Sequence, residues 1–379
     1  MEISSFSRKS KNAEVKKLKI QDINLQHPIS LTFLLKNKRF KKECKTTLEL
    51  AEKVDSYLKE WLLPSIIPIV NSMCINLKLP PEIKKLNSCL IISPRGTGKS
   101  VLLEDILAKS NPEHCIILPP KIFESELIQK PKDYFHNKIL IQSDLIVTFE
   151  GLNIKQRQQL TNFWTKLLEG NYGRSQQQLA EVRAIVLFGF ASERLNRFRD
   201  HLLSETFFDR VTPYLNEVTE DDKRKILEFR SKNNSLGKCK ITTPTIKLPL
   251  PEKIEDNRKV EVSFPHNEQI EQAIINFAME LDRYSVQSFA RAQDYIKVFM
   301  MSNALLNRRK KATISDLYLY ALVHTLFLNS MRELAVEERI LWLIRKHPEL
   351  PDKDLIKKAN VTKPTFYKYK KILKGKRLI

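Results

Sequence analysis

Residues 89–107 read CLIISPRGTGKSVLLEDIL. The first five are apolar or small and read as a buried strand. After the loop, Val101, Leu102, Ile106 and Leu107 share one helical face. Between them, residues 93–100 follow the phosphate-binding pattern G-x-x-x-x-G-K-[ST], except that Ser93 stands in the place of the first glycine. In such a loop, backbone N–H groups at a tight turn and a helix N-terminus point at phosphate. Gly96 and Gly98 permit positive φ and close approach. Lys99 would neutralise phosphate charge, and the Ser100 hydroxyl would ligate Mg²⁺. The expected nucleotide-contacting stretch is Pro94, Arg95, Gly96, Thr97, Gly98, Lys99, Ser100 and Val101, with ATP and Mg²⁺ as its ligands. A small residue can occupy position 93, so binding is expected to survive the serine.

Further strands are expected at HCIIL (114–118), DLIVTF (144–149) and AIVLFGF (184–190). An amphipathic helix separates the last two. Leu160, Phe163, Trp164, Leu167 and Leu168 recur at its helical spacing. Strands alternating with helices predict an α/β domain with a parallel-sheet core, over residues 47–230. A helical stretch opens it, with Leu48, Ala51, Val54, Leu58, Trp61 and Leu62 on one face until Pro64 and Pro68 interrupt. Residues 231–262 are polar and proline-broken and read as a linker or excursion. Residues 263–332 read as all-helical, and 333–379 as three short helices. No internal repeat is evident.

The 379 residues carry 65 Lys and Arg against 44 Asp and Glu, a formal charge of +21. Such a field favours polyanionic partners, nucleic acid above all. The charge is concentrated at the ends. Residues 1–46 hold 12 basic and 4 acidic side chains, and residues 361–379 hold 7 basic and none acidic. The five cysteines form no C-x-x-C pair and read as reduced thiols. The most apolar run, Trp61 to Val70, carries two prolines, so no membrane span is expected. No signal-peptide core is present near residue 1, and a cytoplasmic location is the expectation.

In order and spacing, the chain resembles an AAA+ ATPase of the MoxR and minichromosome-maintenance branch over roughly residues 75–330. ISPRGTGKSVLLEDIL resembles its Walker A strand, loop and helix. DLIVTFEGLN resembles the Walker B strand, and AIVLFGFAS the sensor-one strand. LLSETFFDRV resembles the segment ending in an arginine finger, and SFARAQDYIKVF the start of the lid with a sensor-two arginine. The resemblance implies that Glu150 polarises the attacking water. It implies that Arg210 reaches the γ-phosphate of a neighbouring copy, and that Arg291 contacts phosphate in cis. Ser192 is the polar residue nearest the sensor-one position. Assembly into a homo-oligomer, such as a ring, follows from the same likeness. The chain departs from the family at Walker B, where Phe149-Glu150 replaces Asp-Glu. Either Asp144 at the end of ILIQSD supplies the carboxylate in another strand register, or Glu150 serves the metal alone, or the protein binds ATP and barely turns it over.

The C-terminal segment ANVTKPTFYKYKKIL resembles the recognition helix of a helix-turn-helix, within a winged-helix-like domain at 333–379. Thr362 would cap that helix, with Pro364 in its first turn. Thr365, Tyr367, Lys368 and Lys371 are expected to face nucleic acid, DNA rather than RNA. Phe366, Tyr369 and Ile372 are expected to be buried. Three functions remain open at this level: a DNA-associated ATPase that remodels or assembles on nucleic acid, an ATP-binding DNA regulator or loader with impaired hydrolysis, and a MoxR-like protein-remodelling chaperone.

Overall fold

The computed structural model describes residues 34–58, 66–173, 180–194, 207–216, 218, 220–233, 244–255, 260–283, 287–322, 336, 337, 340, 341, 343, 344, 348–359, 361–375 and 379. Its centre is a five-stranded sheet built from β1 (Cys89–Ser93), β2 (Cys115–Ile117), β3 (Lys138–Gln142), β6 (Ala184–Ala191) and β7 (Thr212–Leu215). A small antiparallel pair, β4 (Asn171–Tyr172) and β5 (Ala180–Glu181), stands apart from it. The sheet order is β2-β3-β6-β1-β7, and every pairing in it is parallel. All five residues of β1 and all eight of β6 are buried. Continuous apolar strands of this kind belong to parallel sheets covered on both faces. The fold is therefore α/β, mostly helical, with a parallel sheet of the kind that carries phosphate-binding loops.

Helices α1 (Lys38–Glu43), α2 (Lys45–Leu58) and α3 (Ile66–Cys74) precede the sheet. Pro68 sits in the first turn of α3, where its missing N–H costs no helical bond. Trp61, Leu62 and Pro64 lie outside the described residues. The basic N-terminal stretch is partly core, since Leu34, Phe40 and Cys44 are fully buried. After β1, α4 (Val101–Ala108) is wound as a π-helix, with Leu102, Leu103, Ile106 and Leu107 buried.

The expected strand at 144–149 is a helix. β3 lies earlier, at Lys138–Gln142, and α5 spans Leu145–Glu150. The Asp144 carboxylate accepts from the N–H groups of Ile146 and Val147, both at 3.2 Å, and so caps α5. Buried Gln142 donates to the Thr148 hydroxyl at 2.8 Å, which donates in turn to the Pro120 carbonyl at 2.6 Å. These polar groups end the strand and start the helix. They outweigh the β-propensity of LIVTF, which is a weak preference beside tertiary context. Phe149 is buried in the core, and Glu150 is exposed at the far end of α5.

Helix α6 (Ile154–Leu168) opens with a reciprocal cap. The Asn153 side chain accepts from Gln156 N–H at 2.9 Å, and the Gln156 side chain accepts from Asn153 N–H at 3.0 Å. Trp164 of α6 packs edge-on against Phe188 of β6, ring centroids 5.4 Å apart. Helix α7 (Glu220–Asn233) follows the sheet. Part of the expected linker is packed rather than free: Ile246 and Leu248 are buried, and Asn111 bonds the backbone of each at 2.8 Å.

A helical layer follows, with α8 (Glu268–Arg283), α9 (Phe289–Leu306) and α10 (314–322). A buried polar set ties it to the N-terminal helices. The Asn303 carbonyl accepts from Thr47 at 2.7 Å and Ser72 at 2.9 Å, while its amide donates to Asp316 at 2.5 Å. Arg309 donates to both Asp316 oxygens. A second, separate core at the C-terminus contains Ile340, Leu343, Leu355, Ala359, Phe366, Tyr369 and Leu373. It includes α11 (Asp352–Ala359) and α12 (Lys363–Gly375). Among the described residues, no helix is long and apolar enough to cross a membrane.

Gly189 of β6 marks where the strand passes the β3–α5 turn. A Cβ there would lie 2.1 Å from the Ser143 carbonyl oxygen. Gly189→Ala should destabilise the fold by about 1–3 kcal/mol, the usual cost of overpacking. A urea midpoint equal to that of the wild type would contradict this packing.

Candidate functional site

Parallel strands bring all their C-terminal ends to one edge of the sheet, and β1 is central there. Its loop runs from Ser93 to Ser100. Gly96 and Gly98 hold φ of +77° and +87°, which L side chains rarely adopt. Nothing crowds the Gly96 position within 4 Å, so φ alone requires the glycine. Pro94 and Val101 are half-buried, Arg95 and Ser100 are exposed, and Thr97 is buried.

Ser93 has a task of its own. Its buried hydroxyl lies 2.5 Å from the Thr97 hydroxyl and accepts from the Asn216 amide at 3.1 Å. It thereby stitches the loop to the end of β7. Thr97 also donates to the Pro94 carbonyl at 2.8 Å. The Lys99 ammonium folds back on the carbonyls of Ser93 and Pro94, 2.8 Å from each. Burial pushes its pKa down to about 8, against the opposing pull of Glu193 and Asp144. Both carboxylates therefore lie within the field of Lys99.

Asp144 stands two residues past the end of β3, and Glu193 two past the end of β6. The pairing of Ser93 with Ala191 sets the β6 exit beside the loop. There, the Arg95 N–H donates to Glu193 Oε1 at 3.0 Å. Burial pushes the Glu193 carboxyl up, but the hydrogen bonds from Arg95 and its own N–H, with the charges of Lys99 and Arg95, hold it below the ordinary range. Ser192, the expected sensor-one residue, is half-buried in the same turn. Sequence reading passed over Glu193, although its position one residue beyond Ser192 was a usable signal.

Glu150 is not part of this edge. It sits six residues along α5 from Asp144, roughly 9 Å at helical rise. Phe149 is buried in the core within α5, and the strand before it ends at Gln142.

Arg210 and Arg291 come together, at the opposite edge. Thr212 pairs with Cys89, the first residue of β1, while the loop begins at its last. Arg210 thus stands roughly 15–20 Å along the strand direction from the loop. Glu169 Oε1 accepts from Arg210 at 2.6 Å and from Arg291 at 3.0 Å, and Asp209 also pairs with Arg291. Tyr295 of α9 donates to the Arg210 carbonyl at 3.2 Å. The expected cis contact of Arg291 with loop-bound phosphate is therefore corrected: α9 begins at the wrong edge of the sheet for it.

On α12, Phe366, Tyr369 and Leu373 face the C-terminal core, with Ile372 half-buried. Tyr367, Lys368 and Lys371 are exposed, together with Lys363 and Lys374, and Thr365 is half-buried. Thr362 precedes the helix, its hydroxyl 2.8 Å from that of Thr365. Lys370 pairs with Asp352 of α11 at 2.5 Å, fixing the two helices. Comparison with protein-family models and with curated proteins finds no match for the chain.

Ser93→Gly would restore the consensus loop and delete the hydroxyl shared by Thr97 and Asn216. It should lower stability by about 1–3 kcal/mol, because buried polar partners are left unmade. A gain in thermal midpoint on this substitution would sink the assignment.

Proposed function

We propose that the chain is an ATPase of the AAA+ type that binds ATP with Mg²⁺ at the Ser93–Ser100 loop and couples it to assembly on, or remodelling of, DNA. One observation carries the reading: Lys99, exposed Ser100, Asp144 and Glu193 converge at the C-terminal edge of a parallel sheet, around a loop whose glycines hold positive φ. Ligands of open parallel sheets bind at that edge. The loop amides and Lys99 would bind and orient the phosphates.

Ser100 and Asp144 suit Mg²⁺. A hydroxyl and one carboxylate leave its other positions to water and phosphate oxygens, as this ion prefers. When bound, the ion would draw charge from the phosphates. Asp144, after the true β3, takes the role for which Phe149 was unsuited. Under this reading, Arg210 and Arg291 act together on nucleotide held by another copy, since their own loop is at the opposite edge. Glu169 positions both, and a homo-oligomer, ring-like or open, follows. Residues 263–322 then serve as the lid, and residues 333–379 as a winged-helix-like module whose Tyr367, Lys368 and Lys371 contact DNA.

Slow hydrolysis is the second reading, an ATP-set regulator or loader. It is favoured by Leu145, a buried apolar residue where the family's Walker B glutamate would follow the aspartate.

ATP turnover measured with and without DNA tests the enzyme. Lys99→Ala should abolish it, and Asp144→Asn should lower it by a factor of about 100, the scale of a lost positioned electrostatic group. Wild-type turnover equal to Lys99→Ala under both conditions would end the ATPase reading. For DNA, Lys368→Ala with Lys371→Ala should weaken binding at all sequences and reduce the salt slope by about 2. An unchanged slope would remove these lysines from the interface.

A further inference from the structure

Glu193 holds the one carboxylate that hydrogen-bonds the loop backbone directly among the described residues. It is exposed, follows the strand beside β1, and also acts on Lys99, the residue that would reach the terminal phosphates. Leu145 leaves no carboxylate next to Asp144, and Glu150 lies a helix length away. A carboxylate placed at the phosphate end of the loop, on the strand between β1 and β3, can do the work missing at both positions.

We infer that Glu193 is the general base of ATP hydrolysis, released from the Arg95 N–H when the terminal phosphate takes that amide. The inference rests on the ATPase reading above. Water attacks the γ-phosphorus as Glu193 accepts one of its protons. The bond from the γ-phosphorus to the β,γ-bridging oxygen breaks, and ADP leaves with the electron pair. The proton passes from Glu193 to the inorganic phosphate or to solvent, which restores the carboxylate. In the structure, the same carboxylate occupies an amide that phosphate needs. It is also a like charge beside the γ-phosphate. Binding of ATP must therefore displace it, while ADP, which lacks that group, need not.

Two readouts separate a base from a structural strut. In Glu193→Gln, turnover should fall by a factor of about 100 or more, the scale of a lost general base. Affinity for Mg²⁺-ATP, measured by fluorescence anisotropy of a labelled analogue, should rise several-fold while that for ADP stays the same. Glu193→Asp should fall between wild type and Gln in turnover. Thermal midpoints close to wild type would show that both variants fold. Turnover lost in Glu150→Gln and kept in Glu193→Gln would overturn the assignment. So would equal shifts in ATP and ADP affinity, which mark a loop strut. If the wild type shows no turnover above Lys99→Ala, the ATPase reading falls and the base falls with it. If the wild type turns over and Glu193→Gln matches it, the base alone falls.

Discussion

The pairing of β1 with β6 is the constraint on which the rest depends. Both strands are buried along their whole length, so neither can shift register without exposing a different set of apolar side chains or a stranded hydrogen-bond ladder. Register fixes Ser93 beside Ala191. That one alignment brings the glycine loop, the Ser192–Glu193 turn and, through β3 on the far side of β6, Asp144 to a common edge. Gly189 makes the last step possible, because only a residue without Cβ lets β6 pass so close to the Ser143 carbonyl.

The same parallel arrangement separates the charges. Strand N-termini lie at the opposite edge, and there Glu169 gathers Arg210 and Arg291 into one group with Asp209. The carboxylates of Glu169 and Asp209 balance the two guanidinium groups and hold them in a fixed geometry. Strand direction sets this group at the edge of the sheet opposite the glycine loop. The helical layer that supplies Arg291 is held by buried Asn303 and Asp316. Burial raises the Asp316 pKa, against the Arg309, Thr313 and Asn303 hydrogen bonds that favour its charged form. Asn303 also accepts from Thr47 of α2 and Ser72 of α3, so the N-terminal helices and the helical layer are one packed unit.

The sequence by itself determined the elements whose signals are local. The strand, loop and helix at 89–108 follow from an apolar run, two glycines and a helical apolar face. Helix α6 follows from the spacing of its apolar residues. The exposed and buried faces of α12 follow from spacing. Tertiary structure decided the rest. LIVTF has strand-like composition, yet Asp144, Gln142 and Thr148 turn it into a helix, through bonds that reach Pro120 and a burial that only the assembled sheet provides. Arg210 and Arg291 are brought together by Glu169, 41 and 122 positions away, and no local pattern encodes such a meeting. Glu193 was legible as a charged residue and illegible as a loop ligand, because its partner amide is 98 residues distant. Local propensity and spacing are written in consecutive residues; the meeting of strand ends is set by register, which exists only once the sheet has formed.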